Sequence, residues 1–210
     1  MRARSLVLSS ILSCFVASGA SAAPASPRTL LVFGDSLSAG YGIDVRAGWV
    51  SLLDKRLRAE GYGYRVVNAS VSGETTTGGL SRLPHALQIH KPTLVILELG
   101  ANDGLRGLPL ALSRANLDQM LRACRAQGSQ VLMLGMKMPP NFGPRYTAGF
   151  EQVFRDLAKK QRVTLVPFFL DGVALNPALI QPDGLHPTAA AQPRLLKNIW
   201  VGLAPLLRKP

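Results

Sequence analysis

Thr29-Leu30-Leu31-Val32-Phe33-Gly34-Asp35-Ser36-Leu37-Ser38 is the stretch on which the fold turns. Its first half is apolar at nearly every position; its second half is a glycine followed by small polar residues. A run that is apolar throughout, not at every other position, marks a strand covered on both faces. Outward from it, four more such runs follow: Arg65-Val66-Val67-Asn68-Ala69, Thr93-Leu94-Val95-Ile96-Leu97-Glu98-Leu99, Gln130-Val131-Leu132-Met133-Leu134 and Val163-Thr164-Leu165-Val166. Helical patterns lie between them. Trp49, Val50, Leu52, Leu53 and Leu57 share one face before Gly61, and Leu112, Ala115, Leu117, Met120, Leu121 and Cys124 share another before Gly128. Phe150, Val153, Phe154, Leu157 and Ala158 form a third face, and Leu195, Leu196, Ile199, Trp200 and Leu203 a fourth. Residues 79–90 also read as helix, with Pro84 obscuring the start. Strand and helix in alternation predict a parallel sheet between two helix layers. The expected fold is α/β, a three-layer α/β/α sandwich around a five-stranded parallel sheet, in one domain over residues 29–207.

The residues before that domain read as an address. Arg2 and Arg4 are followed by an apolar run over residues 6–17, broken only by serines and Cys14, and then by Ala20-Ser21-Ala22. That pattern predicts a signal peptide over residues 1–22 and a periplasmic or secreted mature chain. The run is short for a membrane span. An uncleaved anchor, or lipidation at Cys14 within Ile11-Leu12-Ser13-Cys14, are the alternatives. Cleavage would leave Cys124 as the one cysteine, so no internal disulfide is expected, and its place in a helical pattern suits a packed thiol. Lys and Arg outnumber Asp and Glu by 24 to 12, giving a formal charge of +12. The charges are scattered, the densest patch being Arg155, Lys159, Lys160 and Arg162, and no nucleic-acid module is legible. We expect no nucleic-acid partner, a weak attraction to anionic membrane surfaces, and a monomer. No Cys/His spacing suggests a metal; Met133, Met136 and Met138 read as alternation along a buried strand.

The chemistry-bearing residues sit just past strand ends. Gly34-Asp35-Ser36-Leu37-Ser38 follows the first strand, Ser70-Val71-Ser72-Gly73-Glu74 the second and Gly100-Ala101-Asn102-Asp103-Gly104 the third. Open parallel sheets bind ligands outside the carboxyl ends of their strands, so these loops are placed to converge. Acyl transfer needs a nucleophile, a base, an orienter for the base and donors for the oxyanion. Ser36 lies where strand hands over to helix, whose N-terminus favours negative charge. Of three histidines, His85 and His90 fall in and at the exit of a helical pattern and suit a solvated surface. His186 lies in the stiff turn Gln181-Pro182-Asp183-Gly184-Leu185-His186-Pro187. Asp183, three residues upstream, is placed to reach the imidazole Nδ1–H and leave Nε2 to Ser36. Taken alone, an Asp-x-x-His pair serves equally as a helix cap.

Taken together, the motifs resemble the SGNH (GDSL-type) hydrolases. Gly34-Asp35-Ser36-Leu37-Ser38 is similar to that family's nucleophile block, Gly73 to its second-block glycine, Gly100-Ala101-Asn102-Asp103 to its Gly-x-Asn-Asp block and Asp183-Gly184-Leu185-His186-Pro187 to its closing block. The four occur in the family's order across nearly the whole expected mature chain. The longer stretches 34–42 and 98–107 resemble the exported bacterial subgroup described as thioesterase I, protease I, lysophospholipase or arylesterase. The resemblance implies a flavodoxin-like sheet, Ser36 as nucleophile, His186 as base and Asp183 as its orienter. It implies oxyanion donors from the backbone N–H of Ser36 and of Gly73 and the side-chain amide of Asn102, and no cofactor. Gly73 suits a site where a Cβ would crowd substrate, and Asn102 is a donor that pH does not remove.

The expected activity is a serine hydrolase of carboxylic esters and thioesters, such as lysophospholipids, fatty-acyl or aryl esters, acting through an acyl-enzyme. Leu105, Leu108, Pro109 and Phe142, with Pro139, Pro140 and Tyr146 nearby, offer apolar surface for the acyl group or serve as ordinary packing. Asp35 and Asp103 are expected to brace loops. Glu98, a carboxylate inside an apolar strand, is costly without a partner, and the sequence does not name one. A carbohydrate or peptidoglycan O-deacetylase on the same fold would show acyl selectivity peaking at acetyl. A non-catalytic lipid-binding envelope protein would fail to react with a fluorophosphonate.

Overall fold

The structure, a computed structural model, describes residues 28–209. The leader expected over residues 1–22, Cys14 included, lies outside the described residues. Five strands form one sheet: β1 (Arg28–Gly34), β2 (Tyr64–Asn68), β3 (Leu94–Glu98), β4 (Gln130–Leu134) and β5 (Thr164–Val166). All four pairings are parallel, in the order β2-β1-β3-β4-β5. The fold is therefore the expected α/β sandwich. The apolar runs coincide with the strands to within one residue at either end. Leu30, Leu31, Val32 and Phe33 of β1 are wholly buried, as are Leu94, Val95 and Ile96 of β3. Each such side chain contributes about 1.5–3 kcal/mol on burial, which holds both strands at the centre of the sheet. At the edge, β2 exposes Arg65 and Asn68.

Among the described residues the helices are α1 (Ser36–Ala39), α2 (Trp49–Ala59), α3 (Thr76–His90), α4 (Ala101–Leu105), α5 (Leu110–Ala126), α6 (Pro144–Gln161) and α7 (Gln192–Leu203). One layer packs α3, α5 and α6 side by side, and the other packs α2 against α7. Because β1 lies between β2 and β3, the chain leaves β1 in one direction and returns past it in the other. In open parallel sheets ligands bind at such a reversal, which here lies outside the carboxyl ends of β1 and β3. The short helices α1 and α4 begin there.

Three local expectations need correction. Helix α3 starts at Thr76, three residues before the expected Gly79, with the Thr75 hydroxyl accepting the Gly78 N–H at 3.3 Å. The two glycines hid this turn, and Gly79 is needed for packing: a Cβ there would lie 2.4 Å from Leu99 Cδ1. On α5, Leu112 and Ala115 are exposed, while Ser113 and Asn116 face inward beside Leu117 and Met120. A polar network around Asp103 takes the place of the apolar stripe. Met133 is on β4, but Met136 and Met138 lie beyond its end, buried in the following loop, so strand alternation accounts for Met133 alone.

Candidate active site

The segment after β1 builds the first wall of the site. Asp35 precedes α1, and its Oδ1 accepts the Leu37 N–H at 3.0 Å, an N-cap that turns the chain sharply at Ser36. Ser36 is thereby held at the mouth of the sheet with 9% of its surface exposed. No described acceptor takes its backbone N–H.

The segment before α7 supplies the opposite wall. Asp183 Oδ1 accepts the backbone N–H of Leu185 at 2.9 Å and of His186 at 3.0 Å. Asp183 Oδ2 lies 2.6 Å from His186 Nδ1, and His186 Nε2 lies 2.8 Å from Ser36 Oγ. The N–H groups of His186 and Leu185, with the His186 ring, hold the Asp183 carboxyl down to about 2. An ionised Asp183 requires the proton on Nδ1, which leaves the Nε2 lone pair facing the serine hydroxyl. Asp183, His186 and Ser36 thus form one continuous hydrogen-bonded chain. His85 is exposed and His90 half-buried, both on α3.

Two residues with no signal in the sequence hold this loop. The Gln181 side-chain amide donates to the carbonyls of Tyr41 at 2.9 Å and Pro187 at 3.0 Å, tying the serine segment to the histidine segment. The Tyr41 ring lies against the His186 imidazole, centroids 4.5 Å apart. A Cβ at Gly42 would come within 2.2 Å of Gln181 Oε1, so the glycine makes room for the clamp.

Gly73 and Asn102 come from the loops after β2 and β3. Gly73 has φ 78°, and a Cβ there would meet only Arg106 Nη2, at 4.0 Å. The glycine is required by its left-handed backbone and not by crowding in the protein. Its N–H has no described acceptor, and its carbonyl is held by Arg106 Nη2 at 3.1 Å. Asn102 Nδ2 donates to Asp35 Oδ2 at 3.2 Å and to the Glu74 carbonyl at 3.0 Å. An oxyanion would compete with the longer of these bonds. Beneath them, Asp103 is wholly buried and accepts from the Thr76 N–H at 2.8 Å, the Thr76 hydroxyl at 2.5 Å and the Ser113 hydroxyl at 3.2 Å. Asn116 joins the network through Thr76 Oγ1 and Thr77 Oγ1. Asp103 thus braces α3, α4 and α5 together, which explains the polar face of α5.

Glu98, at the end of β3, has 0% of its surface exposed. Its Oε2 accepts from Ser38 Oγ at 2.6 Å and from the Asp35 N–H at 3.2 Å. Gly34, its register partner on β1, carries no side chain because a Cβ would lie 2.5 Å from that oxygen. Burial, then the nearby Asp35 charge, push Glu98 well above the ordinary carboxylate range. Burial also raises Asp35, to about 6.

Of the four residues expected to line an acyl site, Phe142 borders an open groove of 630 Å3 with Leu110, Pro144, Tyr146 and Gly149. Leu105, Leu108 and Pro109 do not line it. Leu105 packs on the core, Pro109 caps α5, and the Leu108 carbonyl accepts the Tyr146 hydroxyl at 3.0 Å, so their loop adjoins the groove. A second open depression, of 500 Å3, flanks the Asp183 turn and is lined by Leu175, Pro177, Ile180 and Gln181 among others.

Comparison with known proteins agrees with this architecture. The family described as GDSL-like Lipase/Acylhydrolase matches residues 32–193. The chain is 52% identical over 204 residues to Esterase TesA of Pseudomonas aeruginosa, covering 97% of this chain and 100% of that protein. It is 41% identical over 183 residues to Thioesterase 1/protease 1/lysophospholipase L1 of Escherichia coli K12, covering 87% and 86%. A crystal structure of TesA superposes with a TM-score of 0.84 at 55% identity, covering 86% of this chain and 100% of that one.

Proposed function

The chain belongs to the GDSL-like lipase/acylhydrolase family and is a serine ester hydrolase, and we propose that Ser36, His186 and Asp183 perform its chemistry on apolar acyl esters. The observation that carries this is the Asp183–His186–Ser36 chain, with contacts of 2.6 and 2.8 Å. Ser36 Oγ attacks the ester or thioester carbonyl carbon as its proton passes to His186 Nε2. Negative charge moves to the carbonyl oxygen, where the free N–H groups of Ser36 and Gly73 and the Asn102 amide receive it. The imidazolium, stabilised by ionised Asp183, then gives its proton to the departing alcohol or thiol, leaving acylated Ser36. Water, deprotonated by the same Nε2, releases the acid and restores the hydroxyl.

The groove beside Phe142 and Tyr146 supports an apolar acyl or aryl group as the part of the substrate recognised. The leader expected over residues 1–22 supports export, and export favours lysophospholipids and other envelope esters over acyl-CoA, a cytoplasmic pool. The charge of +12 suits a salt-sensitive attraction to anionic lipid.

The test is a p-nitrophenyl ester series from acetyl to palmitoyl on the mature protein, with Ser36→Ala alongside. The expected result is activity that rises beyond acetyl and is abolished in a folded Ser36→Ala. Retained activity in that variant would end the assignment of Ser36. A sharp maximum at acetyl would replace the apolar acyl substrate with a carbohydrate O-acetyl group.

A further inference from the structure

Asp35 and Glu98 are both wholly buried, one on each of the central strands' loop ends, and no cation pairs with either among the described residues. Arg82 pairs with Glu74, and Arg106 holds the Gly73 carbonyl. Two anions in such a place would carry a large desolvation cost and repel each other. The hydrogen bonds show how this is avoided. Glu98 Oε2 already receives two donors, Ser38 Oγ and the Asp35 N–H, whereas its Oε1 is buried with no donor at all. A proton on that oxygen would supply the missing partner and relieve the repulsion between two buried carboxyls already linked through the Asp35 N–H. Asp35 spends its other capacity on the Leu37 N–H, through Oδ1, and on Asn102 Nδ2, through Oδ2.

We infer that Glu98 is a positioning residue that keeps one proton at neutral pH, donates it from Oε1 to the Asp35 carboxylate, and so holds Asp35 as the single charge that sets Ser36 and Asn102. The route is short. Asp35 caps the turn that presents Ser36, and the same carboxylate holds the Asn102 amide. Glu98 fixes both Asp35 and the Ser38 side of the turn. An ionised Glu98 would repel Asp35, and an apolar residue there would leave Asp35 and the Ser38 hydroxyl without their partner. Glu98 touches no substrate atom in this scheme; it acts through Asp35. The kinetic part rests on Ser36 and Asn102 as proposed above, whereas the proton itself does not.

The experiment has two arms. Infrared difference spectroscopy at pH 7 should show a protonated carboxylic-acid C=O band in the wild-type protein that is absent from Glu98→Gln. No such band, or one that persists in Glu98→Gln, overturns the inference whatever the activity. In the kinetic arm, glutamine reproduces a neutral acid: its Oε1 accepts from Ser38 and Asp35, and its Nε2 donates to Asp35. Glu98→Gln should therefore stay within about tenfold of wild-type kcat. Glu98→Leu should lose about a hundredfold in kcat with KM little changed, toward the loss expected when an oxyanion donor is removed. A Glu98→Gln loss as large as that of Glu98→Leu would mean that the charged form is required, and would refute the neutral role. If Glu98→Leu does not fold, the infrared band and the Glu98→Gln rate decide the matter alone.

Discussion

Replacing Asp183 by Asn separates what its carboxylate does for the loop from what it does for the imidazole. In the wild type, Oδ1 takes two backbone N–H groups, of Leu185 and His186, and Oδ2 takes the ring Nδ1–H at 2.6 Å. Asparagine keeps an oxygen for the two backbone bonds. Its Nδ2–H2 then points at Nδ1, where two donors cannot face each other. The imidazole must move its proton to Nε2, so that Nδ1 accepts, and Nε2 now presents a hydrogen to Ser36 Oγ instead of a lone pair. A base with its acceptor blocked loses about ten-thousandfold in kcat, the scale found when the same change is made in the Ser-His-Asp triad of a serine protease. That corresponds to about 5.5 kcal/mol of transition-state stabilisation. Stability should move little, because the turn keeps its backbone bonds. Asp183→Ala removes those bonds as well. Each is worth about 1 kcal/mol at most here, since 36% of the Asp183 side chain is exposed. The alanine variant should therefore unfold about 2–6 °C lower than the asparagine variant. The assay pairs single-turnover hydrolysis of a p-nitrophenyl ester with a thermal melt of each protein. An Asp183→Asn enzyme with more than a tenth of wild-type kcat would refute the tautomer argument, and equal melts for the two variants would refute the part given to the two backbone bonds.

Asn102→Ala should lower kcat by about a hundred- to a thousandfold, or about 2.7–4 kcal/mol, with KM changed far less; steady-state kinetics on the same ester check it. Cys124 is wholly buried on α5 and its thiol is pushed up to about 12, so a maleimide should label the native protein only as fast as it opens globally, and prompt labelling without denaturant would contradict the packing. The pH dependence of stability carries a sign. Glu98 is raised well above its ordinary value and Asp35 to about 6, so in both the fold holds a proton that the unfolded chain has released. Each therefore lowers stability as pH rises above about 4, Asp35 until pH passes its folded value. Glutamine at 98 removes one of these losses. The melting temperature of Glu98→Gln minus that of wild type should become more positive from pH 4.5 to pH 8, and a difference that is flat or falls would show that Glu98 ionises in the fold.

The strands were legible because they are buried on both faces. Leu30 to Phe33 and Leu94 to Leu97 must be apolar at every position, since helices cover the sheet above and below them. Sheet order was legible only through the resemblance, since nothing in a run of Leu and Val says which neighbour it pairs with. Helix faces were read less well, and α5 shows why. Periodicity assumes that the inward face is apolar, yet Ser113 and Asn116 face inward to serve the buried Asp103. Leu112, which the pattern placed on that face, is 42% exposed. A buried carboxylate on one element therefore rewrites the pattern of another, at a sequence distance that no local window spans.

The same reasoning separates the parts of the site. Ser36 stands out because it follows the first strand, Asp183 and His186 because they share one short turn, and Gly73 and Asn102 through the resemblance. Gln181 and Tyr41 do not, since a glutamine bridging two carbonyls and a ring against an imidazole look like any loop residues until the two segments are brought together. Glu98 is intermediate. Its conflict with the apolar strand was visible in the sequence, and a buried carboxyl of that kind must find donors or keep its proton. What the sequence could not supply was the geometry: a register that sets Gly34 opposite Glu98, leaving one oxygen in contact with Ser38 and Asp35 and the other buried without a donor. The residue most at odds with its strand thus lies directly behind the turn that carries Ser36. A strand interior tolerates such a cost where function depends on the group that imposes it.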